Sequence, residues 1–306
     1  MLSNTETTHY KTCPVCSGSI KMWRIKDLGD KKYNIDVCDS CGYAFVNPRP
    51  PLSFLMEYYS SSCRGHDNSS TETPSLNSVI EDGKDHLQSI SDHRRVFSTI
   101  KSLSKNGHNN KFLDVGCGIG SFSKEALEAG FEVTALELSK EDREITKEMT
   151  GINPAACAFE EYECPSNSLS VVLMSQILEH ALDVNLWVKK AHDMLANDGI
   201  IAIALPNYGS IFRMIMQENE PFICPPAHLN FFDPNSLSSL LHKHGFKVEA
   251  IRWVTRLPIS AFEKRFPKFG KPFLPIVHAV SSVSLRAIDA LHLGRMIYVY
   301  GRKMSA

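Results

Sequence analysis

From Lys111 onward, short apolar runs alternate with stretches of helical period. The runs at Phe112–Gly116, Glu132–Leu138, Leu169–Ser175 and Ile200–Leu205 have the length and apolar content of buried strands. Between them, Ser121–Ala129, Lys140–Met149 and Asn185–Leu195 carry apolar residues at helical spacing. Strands alternating with helices over short connections predict an α/β fold whose mostly parallel sheet is covered on both faces. Upstream, Leu87, Ile90, Val96, Phe97, Ile100 and Leu103 make a helical stripe over His86–Leu103. Downstream, strands are expected at Phe246–Trp253 and Met296–Lys303, about forty residues apart. That interval holds Pro258, Pro267, Pro272 and Pro275, then a helical stretch from Ile276 to Leu293, so residues 256–293 read as a helical insertion before the last strand.

The first fifty residues follow another pattern. Ile20–Ile25 and Tyr33–Val37 read as short strands joined by a turn at Gly29-Asp30. On either side stand Cys13-Pro14-Val15-Cys16 and Cys38-Asp39-Ser40-Cys41, each followed by small residues, Ser17-Gly18 and Gly42. Such a turn lets backbone N–H groups fold back toward thiolate sulfur. Two knuckles on a hairpin predict a zinc ribbon over residues 1–50, with Cys13, Cys16, Cys38 and Cys41 as a tetrahedral ligand set. Iron would suit the same donors, and a redox pair or two unrelated pairs are the competing readings. With all four positions supplied by protein the metal is structural, and it would contribute folding energy that so small a unit lacks. Asn47-Pro48-Arg49-Pro50-Pro51 ends the ribbon, because consecutive prolines continue neither a helix nor a central strand. Phe54–Tyr59 reads as a short helix, and the polar residues 60–84 complete a linker or lid over 51–85, which places the main domain at 86–306.

Composition narrows the classes. Of 306 residues 43% are hydrophobic and 22% charged, an ordinary globular balance. Thirty-three Lys+Arg against 34 Asp+Glu give a net charge of −1, which removes any broad electrostatic claim on nucleic acid or an anionic membrane. The N-terminus lacks the basic and apolar regions of a secretory signal, and no apolar stretch reaches the ~20 residues of a membrane span. A soluble, cytoplasmic protein is expected. The odd total of nine cysteines argues against a disulfide framework.

Phe112-Leu113-Asp114-Val115-Gly116-Cys117-Gly118-Ile119-Gly120-Ser121 runs from strand through glycine turn into helix. Its spacing is G-x-G-x-G, with an Asp two residues earlier, whereas dinucleotide folds prefer G-x-G-x-x-G. Glu137, at the end of the next strand, is placed to accept hydrogen bonds from both hydroxyls of a ribose. Together with Ile177-Leu178-Glu179-His180 and with Leu195-Ala196-Asn197-Asp198-Gly199 running into Leu205-Pro206-Asn207, this set resembles the class I S-adenosylmethionine-dependent methyltransferases. The N-terminal part resembles the four-cysteine ribbon preceding some of these enzymes in bacterial sugar and polysaccharide pathways. The resemblance implies a doubly wound, Rossmann-like sheet of seven strands. It also implies that Gly116, Gly118 and Gly120 pass under S-adenosylmethionine while Asp114 supports that loop. Glu137 would hold the ribose, Leu138 would lie beside the adenine, and Ala158 and Phe159 would fall at the adenine edge. Ser175 and Gln176 would meet the methionine moiety.

Methyl transfer to a hydroxyl needs an aligned acceptor and a group that takes its proton. His180, near the end of the fourth strand, and His228, in Pro225-Pro226-Ala227-His228-Leu229-Asn230, are the candidate bases, and a structural histidine is the alternative for each. Ala227 and Pro225 stand where the sugar C-methyltransferases carry an acid and a tyrosine, and the chain ends at Ala306 without their extra domain. These departures favour O-methylation of a saccharide-type or small natural-product acceptor. Phe262, Phe266, Phe269 and Phe273, interleaved with basic residues, are read as packing on the sheet edge or on a second copy in a homodimer. The competing reading is a lid gripping a lipid-linked acceptor. An RNA methyltransferase with the ribbon on RNA is a further alternative. There, seven basic against five acidic residues in 1–50 leave only +2 to attract phosphate. A non-catalytic cofactor-binding scaffold is the last.

Overall fold

Six consecutive residues of Leu169–Met174 are buried, as a strand flanked by parallel neighbours and covered on both faces requires. The computed structural model describes residues 7–29, 31–61, 90–104, 110–255 and 284–305. This central strand is β6 (Leu169–Ser175). It lies between β4 (Lys111–Val115) and β7 (Leu195–Pro206), in a six-stranded sheet continued by β5 (Glu132–Leu136), β9 (Phe246–Val254) and β10 (Met296–Lys303). The order is β5-β4-β6-β7-β10-β9, with β5, β4, β6 and β7 parallel and β10 antiparallel to both its neighbours. Six strands are described against the seven expected. Among the described residues, the sheet is extended beyond β5 only by a single parallel bridge between Leu136 and Ala155, whose N–H and C=O bond to Ala135 and Glu137.

Side chains alternate between the two faces of the sheet. Leu113, Val115, Val172, Met174, Ile201 and Ile203 pack against α5 (Val184–Met194) and α7 (Pro234–Lys243). Phe112, Val171, Leu173, Ile200 and Ala202 pack against α2 (Ile90–Leu103) and α3 (Ser121–Glu128). After β4 the chain turns outward to β5, passes through α4 (Lys140–Thr150) and returns to β6 on the other side of β4. The carboxyl ends of β4 and β6 therefore flank a topological switch point, the place where open α/β sheets bind ligands.

The N-terminal sheet is antiparallel. β1 (Ile20–Leu28), β2 (Lys31–Cys38) and β3 (Ala44–Val46) are joined by β8 (Asn230–Phe231), which pairs Ala44 with Phe231 and Phe45 with Asn230. Its last strand thus comes from the methyltransferase-like part, and Cys13, Cys38, Tyr43 and Phe45 share a buried cluster with the central sheet. The hydrophobic pattern shows neither β3, β8, α7 nor the short α6 (Ile211–Met216), whose lengths give little period to read. In 51–85, α1 (Leu52–Ser61) is described, and the remainder of that proposed linker lies outside the described residues. Of the insertion over 256–293, only the stretch from 284 onward is described, helical over 284–290; the Phe262–Phe273 series lies outside.

Candidate active site

The glycine turn is built by backbone geometry. Gly116, Gly118 and Gly120 have φ of +67°, +52° and +81°, the left-handed region that L side chains rarely enter. A Cβ on Gly116 would stand 2.9 Å from Ile177 Cδ1, and one on Gly120 2.7 Å from Thr146 Cγ2. One on Gly118 would meet nothing within 4 Å. Gly116 and Gly120 let the loop pack on the protein, while Gly118 faces the space a ligand would enter.

Glu137 closes this cradle. Its Oε2 accepts from Gly118 N–H and its Oε1 from Ser139 N–H, each at 2.8 Å. Both oxygens keep a further lone pair for ribose hydroxyls. Arg143 Nη1 donates to the carbonyls of Glu137 and Leu138 at 3.0 and 2.6 Å, and the Leu138 side chain is 66% exposed, consistent with an apolar face for adenine. Asp114 is buried beneath the loop and accepts from Ser123 Oγ at 2.7 Å; burial pushes its carboxyl up to about 6. Thr146, absent from the motif, donates through Oγ1 to Gly118 O at 2.8 Å. It sits on α4 some 28 residues away, and no spacing rule singles it out. Gln176 follows β6 with φ +54° and donates its N–H to Ala204 O at 2.7 Å, which places it and Ser175 at the switch point. Phe159 is buried, its ring edge-on to Trp187 at 5.3 Å. Ala158, beside it, is half-buried.

The two histidines come together. Leu178–His180 forms a 3₁₀ turn after β6, and the rings of His180 and His228 lie 4.8 Å apart at 81°. His180 Nδ1 donates to Ala227 O and His228 Nδ1 to Phe222 O, both at 2.8 Å. A carbonyl can only accept, so each neutral ring carries its lone pair on Nε2. Glu179 directly precedes His180 and joins the two histidines in one cluster. It is 1% exposed, and neither carboxylate oxygen has a hydrogen-bond partner among the described residues. Burial therefore pushes its carboxyl up to about 8. Ligand atoms of Glu179, His180 and His228 all lie within 4.8 Å of one another, close enough to share one cation. Tyr208, Phe222 and Phe231 line a crevice beside His228 of about 10 Å³, which holds about one water.

The four cysteines also converge. Cys13 and Cys41 sulfurs are 3.7 Å apart and those of Cys16 and Cys38 3.4 Å, against about 3.8 Å for the edge of a tetrahedron with 2.3 Å metal–sulfur bonds. Backbone N–H groups of Ser40 and Cys41 point at Cys38 Sγ at 3.4 and 3.5 Å, and Ser17 and Gly42 take the left-handed turns this needs. The thiol of Cys41 against Cys13 holds Cys13 down to about 5. Donor set and spacing fit a four-thiolate metal site.

Comparison with known proteins agrees with the cradle. The family model described as a methyltransferase domain matches residues 87–251. The ubiquinone biosynthesis O-methyltransferase of Pelagibacter ubique is 30% identical over 112 residues, 35% of this chain and 47% of that protein. That of Haemophilus ducreyi is 26% identical over 166 residues, 46% of this chain and 70% of that protein. The chain thus spans about half the length of the first of these relatives. Among solved structures, an S-adenosylmethionine-dependent methyltransferase from Archaeoglobus fulgidus matches with a TM-score of 0.51 at 17% identity, covering 73% of this chain and 99% of that one. A second, from Thermotoga maritima, gives 0.50 at 16% identity, covering 74% and 97%. These likenesses concern the fold. Because the family match extends over more than half of the chain, the protein belongs to the methyltransferase-domain family.

Proposed function

We propose that the enzyme methylates a hydroxyl oxygen of a small acceptor, of saccharide or natural-product type, with His180 or His228 taking the hydroxyl proton. The observation that carries this reading is the pair of imidazoles, each tied through Nδ1 to a backbone carbonyl and so presenting a basic Nε2 beside the switch point. The likeness to O-methyltransferases of ubiquinone biosynthesis supports oxygen as the acceptor atom.

Asp114, Gly116, Gly118, Gly120, Glu137, Leu138, Ser175 and Gln176 would hold S-adenosylmethionine, which supplies an electrophilic methyl group when bound. Glu137 orients the sugar through the lone pairs left over from its loop bonds. Gln176 takes a left-handed φ of +54°, and Ile177 after it packs against Gly116 of the loop. Glu179, protonated at neutral pH, adds no negative charge beside the histidines and leaves Nε2 as the proton acceptor. The cysteine set would hold one structural Zn²⁺.

Isothermal titration should show saturable binding of S-adenosylmethionine to the full chain, and elemental analysis one zinc per chain. Radiolabel from S-adenosylmethionine should transfer to a phenolic or saccharide hydroxyl acceptor. Transfer to amines or carbon alone would overturn the choice of oxygen.

A further inference from the structure

We infer that Asn230 and Arg49 are positioning residues for the turn Leu178–Ala181, through which the cysteine-bearing sheet sets the placement of Glu179 and His180. This rests on the reading of that turn as the base-bearing element.

Asn230 is 2% exposed, and its side-chain amide is fully engaged. Nδ2 donates to the carbonyls of Leu178, Glu179 and Ala181 at 3.2, 3.1 and 2.7 Å, two hydrogens serving three acceptors of one turn. Oδ1 accepts from Arg49 Nη2 and from the Tyr43 hydroxyl. The orientation of the amide is determined, since a guanidinium only donates and backbone carbonyls only accept. Inverting it would set NH₂ against Arg49 and oxygen against three oxygens.

Arg49 extends the connection. It is 2% exposed and makes no ion pair with a carboxylate among the described residues. Its Nη1 donates to Leu229 O at 2.6 Å, its Nη2 to Tyr43 Oη at 3.0 Å as well as to Asn230, and its backbone is fastened to Thr8 by two hydrogen bonds. Leu229 N–H in turn donates to Glu179 O at 2.9 Å. Leu229 and Asn230, both of which Arg49 touches, thus bond to the Glu179 carbonyl, and they directly follow His228. A buried cation is a poor means of gaining stability when no acid compensates it. Here its Nη1 and Nη2 converge on the segment just after His228, which holds the turn bearing His180.

The other end of the connection is the metal knuckle. Tyr43 stands two residues beyond Cys41, its carbonyl accepts from Cys38 N–H at 2.9 Å, and its ring is packed against Phe45 and Phe232. The path Cys38, Tyr43, Asn230, Glu179 is continuous in hydrogen bonds. It also gives Arg49, in the Asn47-Pro48-Arg49-Pro50 segment, a role beyond ending the ribbon.

The test is ¹⁵N-histidine NMR on the full-length protein, with His180 and His228 assigned from single substitutions. Asn230→Leu and Arg49→Met should move or broaden the His180 resonances and shift its titration, while the Kd for S-adenosylmethionine stays within about threefold. Tyr43→Phe should do so more weakly. Phe131→Ala, on the opposite face of the sheet, should lower Tm yet leave the histidine signals in place. If Asn230→Leu does not fold, Arg49→Lys carries the same measurement, because it keeps the charge but loses the two-pronged donation. Unmoved His180 signals in a folded Asn230 or Arg49 variant overturn the inference. Moved signals support it. Turnover measured on the same samples then judges the base separately: moved signals with undiminished methyl transfer would leave the positioning intact and remove His180 as the base.

Discussion

Glu137 reaches back to Gly118 across 19 residues, whereas His180 bonds to Ala227 across 47 and Asn230 to Arg49 across 181. The glycine loop and the acid that closes it come from one strand–helix–strand stretch. The histidine cluster joins the turn after β6 to the segment after α6, and Asn230 ties that turn to Arg49 of the N-terminal part. Local construction makes the first region tolerant of changes elsewhere, and long-range construction makes the second dependent on them. Substitutions in the cluster should therefore alter turnover with binding preserved, and substitutions in the cradle should do the reverse.

The largest effect is expected at the bases. Removing a general base slows a reaction by about 10²–10⁴-fold, so His180→Ala or His228→Ala should reduce kcat on that scale while calorimetry shows S-adenosylmethionine binding within about threefold of wild type. Equal losses of binding and turnover would erase the division between the two regions.

A second contrast is between buried acids. Asp114 in the cradle is bonded to Ser123 and raised from 3.8 to about 6, while Glu179 in the cluster has no such donor and is raised from 4.5 to about 8. For a raised carboxyl the unfolded chain releases its proton first, so stability is full below the unfolded pKa and falls as pH rises toward the folded one. The Glu179 contribution should decline between about pH 4.5 and 8, and that of Asp114 should be lost by about pH 6. Glu179→Gln should accordingly gain stability relative to wild type between pH 5 and pH 8.5, by a few kcal/mol in urea titrations. A pH-independent difference would mean that Glu179 is charged in the folded protein.

The same contrast explains what the sequence discloses. The glycine spacing, Asp114 and Glu137 are legible because their geometry is local, and four buried strands follow from apolar runs such as Val171–Met174. His180 and His228 can be named as candidates, but their 4.8 Å approach depends on a 3₁₀ turn and a crossing loop that leave no periodic trace. Thr146, Arg49 and Asn230 are harder still. A threonine within a polar helix and an arginine among prolines look like surface residues, and only the fold shows both buried.

Within the cradle, Glu137→Ala removes the acceptor for Gly118 and Ser139 and for the ribose. Hydrogen bonds to a charged group contribute about 1.5–3 kcal/mol, so the Kd for S-adenosylmethionine should rise by roughly 10–100-fold. The histidine resonances should stay where they are, since Glu137 bonds to Gly118 and Ser139. Their displacement would show the two regions to be coupled through the switch point.

The smallest effect divides the cradle itself. Alanine at Gly118 or Gly120 pays the same left-handed penalty, about 1–2 kcal/mol, yet the surroundings differ. At Gly120 the new methyl would stand 2.7 Å from Thr146 Cγ2, inside a fully buried contact whose hydroxyl also holds Gly118 O. At Gly118 it would enter open space. Gly120→Ala should therefore lose more stability than Gly118→Ala, by about 1–3 kcal/mol as overpacking does. Gly118→Ala should instead show the larger loss of S-adenosylmethionine affinity for each degree of Tm lost. If both variants lose stability equally and neither loses affinity, the open face of Gly118 is not where the cofactor lies.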